Sequence, residues 1–283
     1  MGHPDGGDHA VGAPRPGPVL VRAAARDFGS HRGSGEVVSG GGQAERVPGA
    51  GLHGVLWDMD GTSTDSAPVW EAAMLTAADE LGVEWTGADQ AVTRGHGMWA
   101  VAARFREKGA ALTEAAVVSQ IERAAAELAV TAPPVWLPGV REMLIDCADA
   151  GIRCGLVTMS GREAVEAILR ALDPGLFEVI VSGSDVTEPK PAPQPYLRGL
   201  DALGLSAESC LAIEDSFVGV TSAVAAGLTT IAVNAPPTIV ESESLVRWPG
   251  MRGRSVADLR RVHAIAAART GAESPGVRKS LEF

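Results

Sequence analysis

The run Gly54-Val55-Leu56-Trp57-Asp58-Met59-Asp60-Gly61-Thr62 decides how this chain is read. Val, Leu and Trp lead into two carboxylates one residue apart and then a glycine. That is the pattern of a buried strand breaking open at its C-terminal end. Side chains alternate faces along a strand, so Asp58 and Asp60 share one. In open parallel α/β sheets ligands gather beyond that end. Two carboxylates so close repel each other unless a cation or a shared proton relieves them. A solvated turn is the plain alternative for a bare Asp-x-Asp-Gly. An EF-hand loop is excluded, because the glycine comes too early and Val69 stands where the bidentate glutamate belongs.

Three further apolar-to-polar junctions lie downstream. Leu156-Val157-Thr158-Met159-Ser160-Gly161 places two hydroxyls at a strand end ahead of a helix, which suits either an anion site or an ordinary N-cap. Glu188-Pro189-Lys190-Pro191 holds a lysine between two φ-restricted prolines, aimed at one spot or simply solvated. Ile213-Glu214-Asp215-Ser216 ends a strand in two acids, which could cap the next helix or hold a hard cation such as Mg²⁺. Each junction is weak alone. Acid pair, hydroxyls, lysine and acid pair in that order, at successive strand ends of one sheet, form a phosphate-and-magnesium site.

The surrounding pattern supplies the sheet. Strands are expected at Arg153–Thr158, Phe177–Ser182, Cys210–Glu214 and Thr230–Val233, with helices near 139–150, 162–172, 193–204 and 217–226. Such alternation implies a doubly wound, Rossmann-like parallel sheet, an α/β fold. Between residues 66 and 135 no strand is expected. Pro68 starts a helix that stops at Gly82, and helical patterns recur over 97–108 and 113–129, so the segment 66–136 reads as an inserted α-helical cap. The α/β core then covers 50–65 and 137–269. Residues 1–49 are dense in Gly and Pro and read as a disordered extension, and 270–283 as a flexible tail. The methionine after Met1 is Met59, inside the quoted run, so a later translation start would need another codon.

A charge of −11 argues against a nucleic-acid or anionic-membrane surface, and no apolar run reaches the length of a membrane span. Cys147, Cys154 and Cys210 form no C-x-x-C and read as buried thiols in a reducing cytoplasm. No heptad run or interface stripe stands out, so a monomer or weak dimer is expected.

Asp58-Met59-Asp60-Gly61-Thr62, Thr158, Lys190 and Glu214-Asp215 resemble the four ordered motifs of the haloacid dehalogenase superfamily. The resemblance spans about Leu52 to Leu259 and is nearest to the β-phosphoglucomutase-like phosphatases, helical cap included. It implies that Asp58 attacks phosphorus to form an aspartyl-phosphate. Asp60 would protonate the leaving oxygen and then deprotonate water. Mg²⁺ would be held by Asp58, the Asp60 carbonyl, Asp215 and Glu214. Lys190, Thr158 and Ser160 would bind the phosphoryl oxygens.

Asp60 separates this chain from dehalogenating members, whose halide leaving group needs no proton. The function implied is a Mg²⁺-dependent phosphatase of small phosphomonoesters, sugar phosphates or similar metabolites. A sugar-phosphate mutase is the alternative, followed by a low-activity binding module. The β-phosphoglucomutases carry a cap His where this chain has Trp70 and an Arg where it has Met98. Relatives also carry two apolar residues in place of Ser63-Thr64 and a Glu in place of Ala67. In the cap, Arg94 and His96 are candidate substrate contacts, and Trp99 is either a cleft residue or cap core.

Overall fold

The structure, a computed structural model, describes residues 51–93, 97–173 and 175–272. The extension expected over 1–49, most of the expected tail, and both Arg94 and His96 lie outside the described residues. Along the chain come β1 (Gly54–Trp57), β2 (Thr64–Asp65), α1 (Ala67–Leu81), α2 (Gly87–Thr93), α3 (Met98–Glu107) and α4 (Glu114–Thr131). Then follow β3 (Val135–Trp136), α5 (Val140–Asp149), β4 (Arg153–Val157), α6 (Arg162–Leu172) and β5 (Val179–Val181). The last elements are α7 (Gln194–Leu203), β6 (Cys210–Glu214), α8 (Phe217–Ala225), β7 (Thr229–Val233), β8 (Leu245–Trp248) and α9 (Val256–Ala272).

Six strands pair in the order β5-β4-β1-β6-β7-β8, every pair parallel. This is the doubly wound sheet expected from strand–helix alternation. β1 alternates faces as a buried strand must: Val55 and Trp57 join one apolar cluster, Leu56 the other. The first cluster takes in Met143 and Leu144 of α5, Ile168 of α6 and Leu259 of α9. The second takes in Tyr196, Leu200 and Leu203 of α7 and Ala223 of α8. All three cysteines are free and buried.

Topology sets where the site falls. From β1 the chain runs outward to β4 and β5, then returns to lay β6 on the other side of β1. The crevice beyond the ends of β1 and β6 is therefore the switch point of the sheet. In the register, Trp57 stands opposite Leu156 and Ile213, so Asp58, Val157 and Glu214 follow at one level.

The helices α1–α4 surround an apolar cluster of their own, in which Trp85 stacks on Phe105 at 4.2 Å. Pro68 lies in the first turn of α1, and Gly82 closes that helix in the left-handed conformation. The short α2 was not expected, and neither were β8 and α9. An antiparallel pair, Thr64 opposite Trp136 and Asp65 opposite Val135, brackets the insertion where the chain leaves and re-enters the sheet. The insertion also leans on the core, since α4 packs along α6: Ala126 and Ala129 join the sheet's cluster, and Ala164 joins that of the insertion. Among the described residues no helix is long and apolar enough to cross a membrane.

Candidate active site

The four junctions read from the sequence meet at the C-terminal end of the sheet. Asp58 follows β1 directly, its backbone N–H donating to the Ile213 carbonyl at 3.0 Å. Lys190 arrives from the loop before α7. Its Nζ donates to Asp58 Oδ1 at 2.8 Å, to Glu214 Oε1 at 2.6 Å and to the Val157 carbonyl at 2.9 Å. One ammonium thus joins the ends of β1, β4 and β6. Burial alone would lower the lysine's pKa, but Asp58 and Glu214 outweigh it and hold the ammonium above its ordinary range.

Glu214 is fully buried. Its Oε1 also accepts from Tyr196 Oη at 2.6 Å, and its Oε2 accepts from Ser216 Oγ at 3.3 Å. A Cβ on Gly219 would lie 2.0 Å from that carboxyl group, so the first turn of α8 can pass only as glycine. The alternative in which the acid pair caps α8 does not hold. Ser216 is the N-cap and accepts from the Gly219 N–H at 3.0 Å, leaving both acids turned to the site.

Carboxylate oxygens of Asp58, Glu214 and Asp215 lie within 4.8 Å of one another. Burial raises Asp58 well above the usual carboxylate range, with repulsion from Glu214 adding to it and Lys190 opposing. Burial and then Glu214 push Asp215 up to about 7. Gly61, at φ +84°, lets the turn pass beneath Asp215, whose Oδ2 would stand 2.3 Å from any Cβ there. Crowded hard oxygens with raised proton affinity are a donor set that fits a small divalent cation such as Mg²⁺. Glu214 Oε1 is already shared by Lys190 and Tyr196, which leaves Asp58 and Asp215 with the freer oxygens.

Asp60 sits across from this cluster and collects four donors. Thr158 Oγ1 and Ser160 Oγ reach its Oδ2 at 3.3 and 2.7 Å. Ser66 Oγ and Trp70 Nε1 reach its Oδ1 at 2.5 and 2.8 Å. Thr158 and Ser160 therefore face Asp60. Ser63 and Thr64 also have a structural account: their hydroxyls turn back onto the carbonyls of Asp58 at 2.5 Å and Met59 at 3.2 Å. Both are fully buried, and they close the turn with hydrogen bonds instead of apolar packing.

Tyr196, Ser66, Trp70 and Glu122 were not read as site residues. Tyr196 is the chain's single tyrosine, six residues after Lys190. Ser66 and Trp70 stand one helical turn apart just after the acid pair, a spacing that puts both on one helix face. Glu122 of α4 accepts from the Gly161 N–H at the start of α6, and burial raises its carboxyl pKa. Trp99 is not core; it is 57% exposed on α3. His263 Nε2 donates to the Glu208 carbonyl at 2.7 Å, away from the site.

Comparison with known proteins gives these features a context. The sequence model of haloacid dehalogenase-like hydrolases matches residues 52–227. The chain is similar to the CbbY protein of Rhodobacter capsulatus, 30% identical over 208 residues that cover 70% of this chain and 92% of that one. It is similar to hexitol phosphatase A of Escherichia coli K12, 33% identical over 65% of this chain and 83% of that one. The crystal structure of a CbbY mutant from Rhodobacter sphaeroides in complex with xylulose 1,5-bisphosphate superposes with a TM-score of 0.58. That match is 27% identical and covers 64% of this chain and 86% of that one.

Proposed function

The chain belongs to the haloacid dehalogenase-like hydrolases, and we propose that within that family it is a Mg²⁺-dependent phosphatase of small sugar phosphates that works through an aspartyl-phosphate. The observation that carries this reading is the single ammonium of Lys190 bridging Asp58 and Glu214 at the switch point of the sheet. A carboxylate meant to attack an anionic phosphate needs positive charge beside it, and Lys190 supplies that charge in a water-poor setting. The names of the relatives support sugar phosphates as the substrate class, since one is a hexitol phosphatase and another was crystallised with a pentulose bisphosphate.

The chain's residues divide the work as follows. Asp58 attacks phosphorus with the carboxylate oxygen that Lys190 leaves free, and the ester oxygen departs. Asp60 gives that oxygen its proton, then takes one from the water that cleaves the acyl-phosphate. Thr158 and Ser160 hold the phosphoryl oxygens, and the Lys190 ammonium, its three donors already placed, offers them its charge. Asp58, Asp215, the Asp60 carbonyl and Glu214 would hold Mg²⁺, which supplies Lewis-acid neutralisation of the phosphoryl charge. Helices α1–α4 act as the cap over this cleft, with Arg94 and His96 as substrate contacts.

The test is phosphate release from a panel of phosphomonoesters, with Mg²⁺ and with EDTA, beside Asp58→Asn. Metal-dependent release that the variant lacks is the expected result. Release of an isomeric phosphate in place of free phosphate would make the chain a mutase, and release unaffected by EDTA or by the substitution would overturn the mechanism.

A further inference from the structure

Asp60 has two carboxyl oxygens in different company, and the difference assigns them different work. Oδ1 accepts from Trp70 Nε1 at 2.8 Å and from Ser66 Oγ at 2.5 Å. Among the described residues Oδ2 meets only hydroxyl donors, Ser160 Oγ at 2.7 Å and Thr158 Oγ1 at 3.3 Å. An indole N–H can donate and never accept, whereas a hydroxyl does both. Oδ1 is thereby committed to accepting. A neutral carboxyl keeps its good acceptor on the oxygen that lacks the proton, so a proton on Asp60 belongs on Oδ2, where a hydroxyl can turn to accept it. Oδ2 is also the oxygen on the side of Thr158 and Ser160, at the end of β4.

We propose that Trp70 is the positioning residue of the acid/base carboxylate, its indole N–H holding Oδ1 of Asp60 so that Oδ2 faces the reacting oxygens. The proposal rests on the reading of Asp60 as acid and base. Trp70 is suited to this because its ring is not free to move. It is 8% exposed and packed in the apolar cluster of the insertion among Val69, Ala73, Met74 and Ala77. Ser66, four residues earlier at the N-cap of α1, holds the same oxygen. The core of the inserted helices thus orients a carboxylate that the sheet delivers. In the first half-reaction the Asp58 carboxylate bonds to phosphorus as the phosphorus–ester bond and the Oδ2–H bond break. The proton goes to the departing alkoxide, and Asp60 is left a carboxylate. In the second half, water bonds to phosphorus, its proton goes to Oδ2, and the Asp58–phosphorus bond breaks.

Leaving-group dependence separates positioning from packing. An alkoxide needs the proton as it leaves, and a p-nitrophenolate does not. The experiment is kcat/KM, which covers formation of the acyl-phosphate, for a hexitol phosphate and for p-nitrophenyl phosphate. It is run on the wild type, Trp70→Phe, Trp70→His and Ser66→Ala. Trp70→Phe keeps a buried aromatic ring and removes the donor. The expected loss is about 10²-fold on the hexitol phosphate, within the range that general acid catalysis contributes, and about threefold or less on p-nitrophenyl phosphate. Trp70→His restores a ring donor and should regain part of the hexitol phosphate rate. Ser66→Ala, which leaves the ring untouched, should show the same selective loss in smaller degree. Equal losses on both substrates, or no loss on either, would overturn the positioning role. Asp60→Asn is measured beside them: if it keeps full activity on the hexitol phosphate, the acid/base reading itself fails.

Discussion

Lys190 Nζ lies 2.6 Å from Glu214 Oε1, with the two side chains only 3% and 0% exposed. Two charges so sealed from water are costly to hold unless each is satisfied completely. Here Lys190 spends its three donors on Asp58, Glu214 and the Val157 carbonyl, and Glu214 gains Tyr196 and Ser216. The pair is therefore a device for holding one cation beside Asp58, and its energetics can be probed without substrate.

Lys190→Met removes the cation and leaves Asp58 and Glu214 facing each other. Breaking a buried pair from one side costs about 3–5 kcal/mol. A proton on Asp58, whose carboxyl burial already raises, can relieve the repulsion, so urea unfolding should find the full loss at mildly alkaline pH and a smaller one in acid. A loss of the same size in both would mean that the pair carries no charge.

Tyr196→Phe deletes the 2.6 Å hydrogen bond to Glu214 while keeping the ring in its cluster. A bond to a charged group of this kind is worth roughly 1.5–3 kcal/mol. The urea midpoint should fall with the m-value unchanged, since little surface is altered. Paired with Glu214→Gln, the double-mutant cycle should show coupling; strict additivity would deny that the two residues interact.

Asp215, pushed up to about 7, ties stability and metal binding to pH. An unfolded Asp titrates near ~3.9, so the folded state holds this proton more tightly. The sign follows from linkage: the contribution is fully present below about pH 4 and is lost as pH rises through about 7. Burial raises Asp58 in the same direction. In EDTA the melting temperature should therefore fall as pH climbs from mildly acid to mildly alkaline. A cation must displace that proton, so apparent Mg²⁺ affinity should rise over the same interval and level off above it. Mg²⁺ affinity that is flat with pH would contradict the raised carboxyl.

Gly219→Ala would set a Cβ 2.0 Å from the Glu214 carboxyl. Glu214 has no slack, being held by Lys190, Tyr196 and Ser216, so the methyl must displace it. Overpacking of this sort costs about 1–3 kcal/mol. The variant should be less stable and need more Mg²⁺ for half-maximal turnover; wild-type values for both would show that the first turn of α8 can shift freely.

Asp58→Asn keeps the shape of the side chain and removes the proposed nucleophile. Turnover should fall by about 10⁶-fold, the scale on which loss of a covalent nucleophile is felt. Circular dichroism should show the fold unchanged. Retained activity would place the covalent step elsewhere.

Much of this molecule is written in local chemistry. A strand buried on both faces needs a largely apolar run, so β1, β4, β6 and β7 can be read directly from Val, Leu and Ile; β1, β4 and β7 stop just before Asp58, Thr158 and Asn234, and β6 stops at Glu214. Pro68 and Gly82 bound α1 because backbone sterics act within a few residues. The elements that escaped reading lack such signals. Seven-residue α2 is too short to show a period, β8 interrupts its apolar run with Arg247, and α9 is Ala- and Arg-rich without a clear apolar face.

By itself the sequence determined which residues stand at the strand ends, and hence that carboxylates, hydroxyls and one lysine would face a common crevice. Only the tertiary structure decided how they share it. A hydroxyl such as Ser160 can cap a helix, grip a phosphate or bond a carboxylate, and a buried Tyr or Trp can simply fill space. The choice depends on what is brought within about 3 Å, the reach of a hydrogen bond. Folding brought Trp70 to Asp60 from a helix outside the sheet, and Tyr196 to Glu214 from α7, which packs along β4 and β5. Those pairings depend on packing between elements, and no local pattern of residues encodes them.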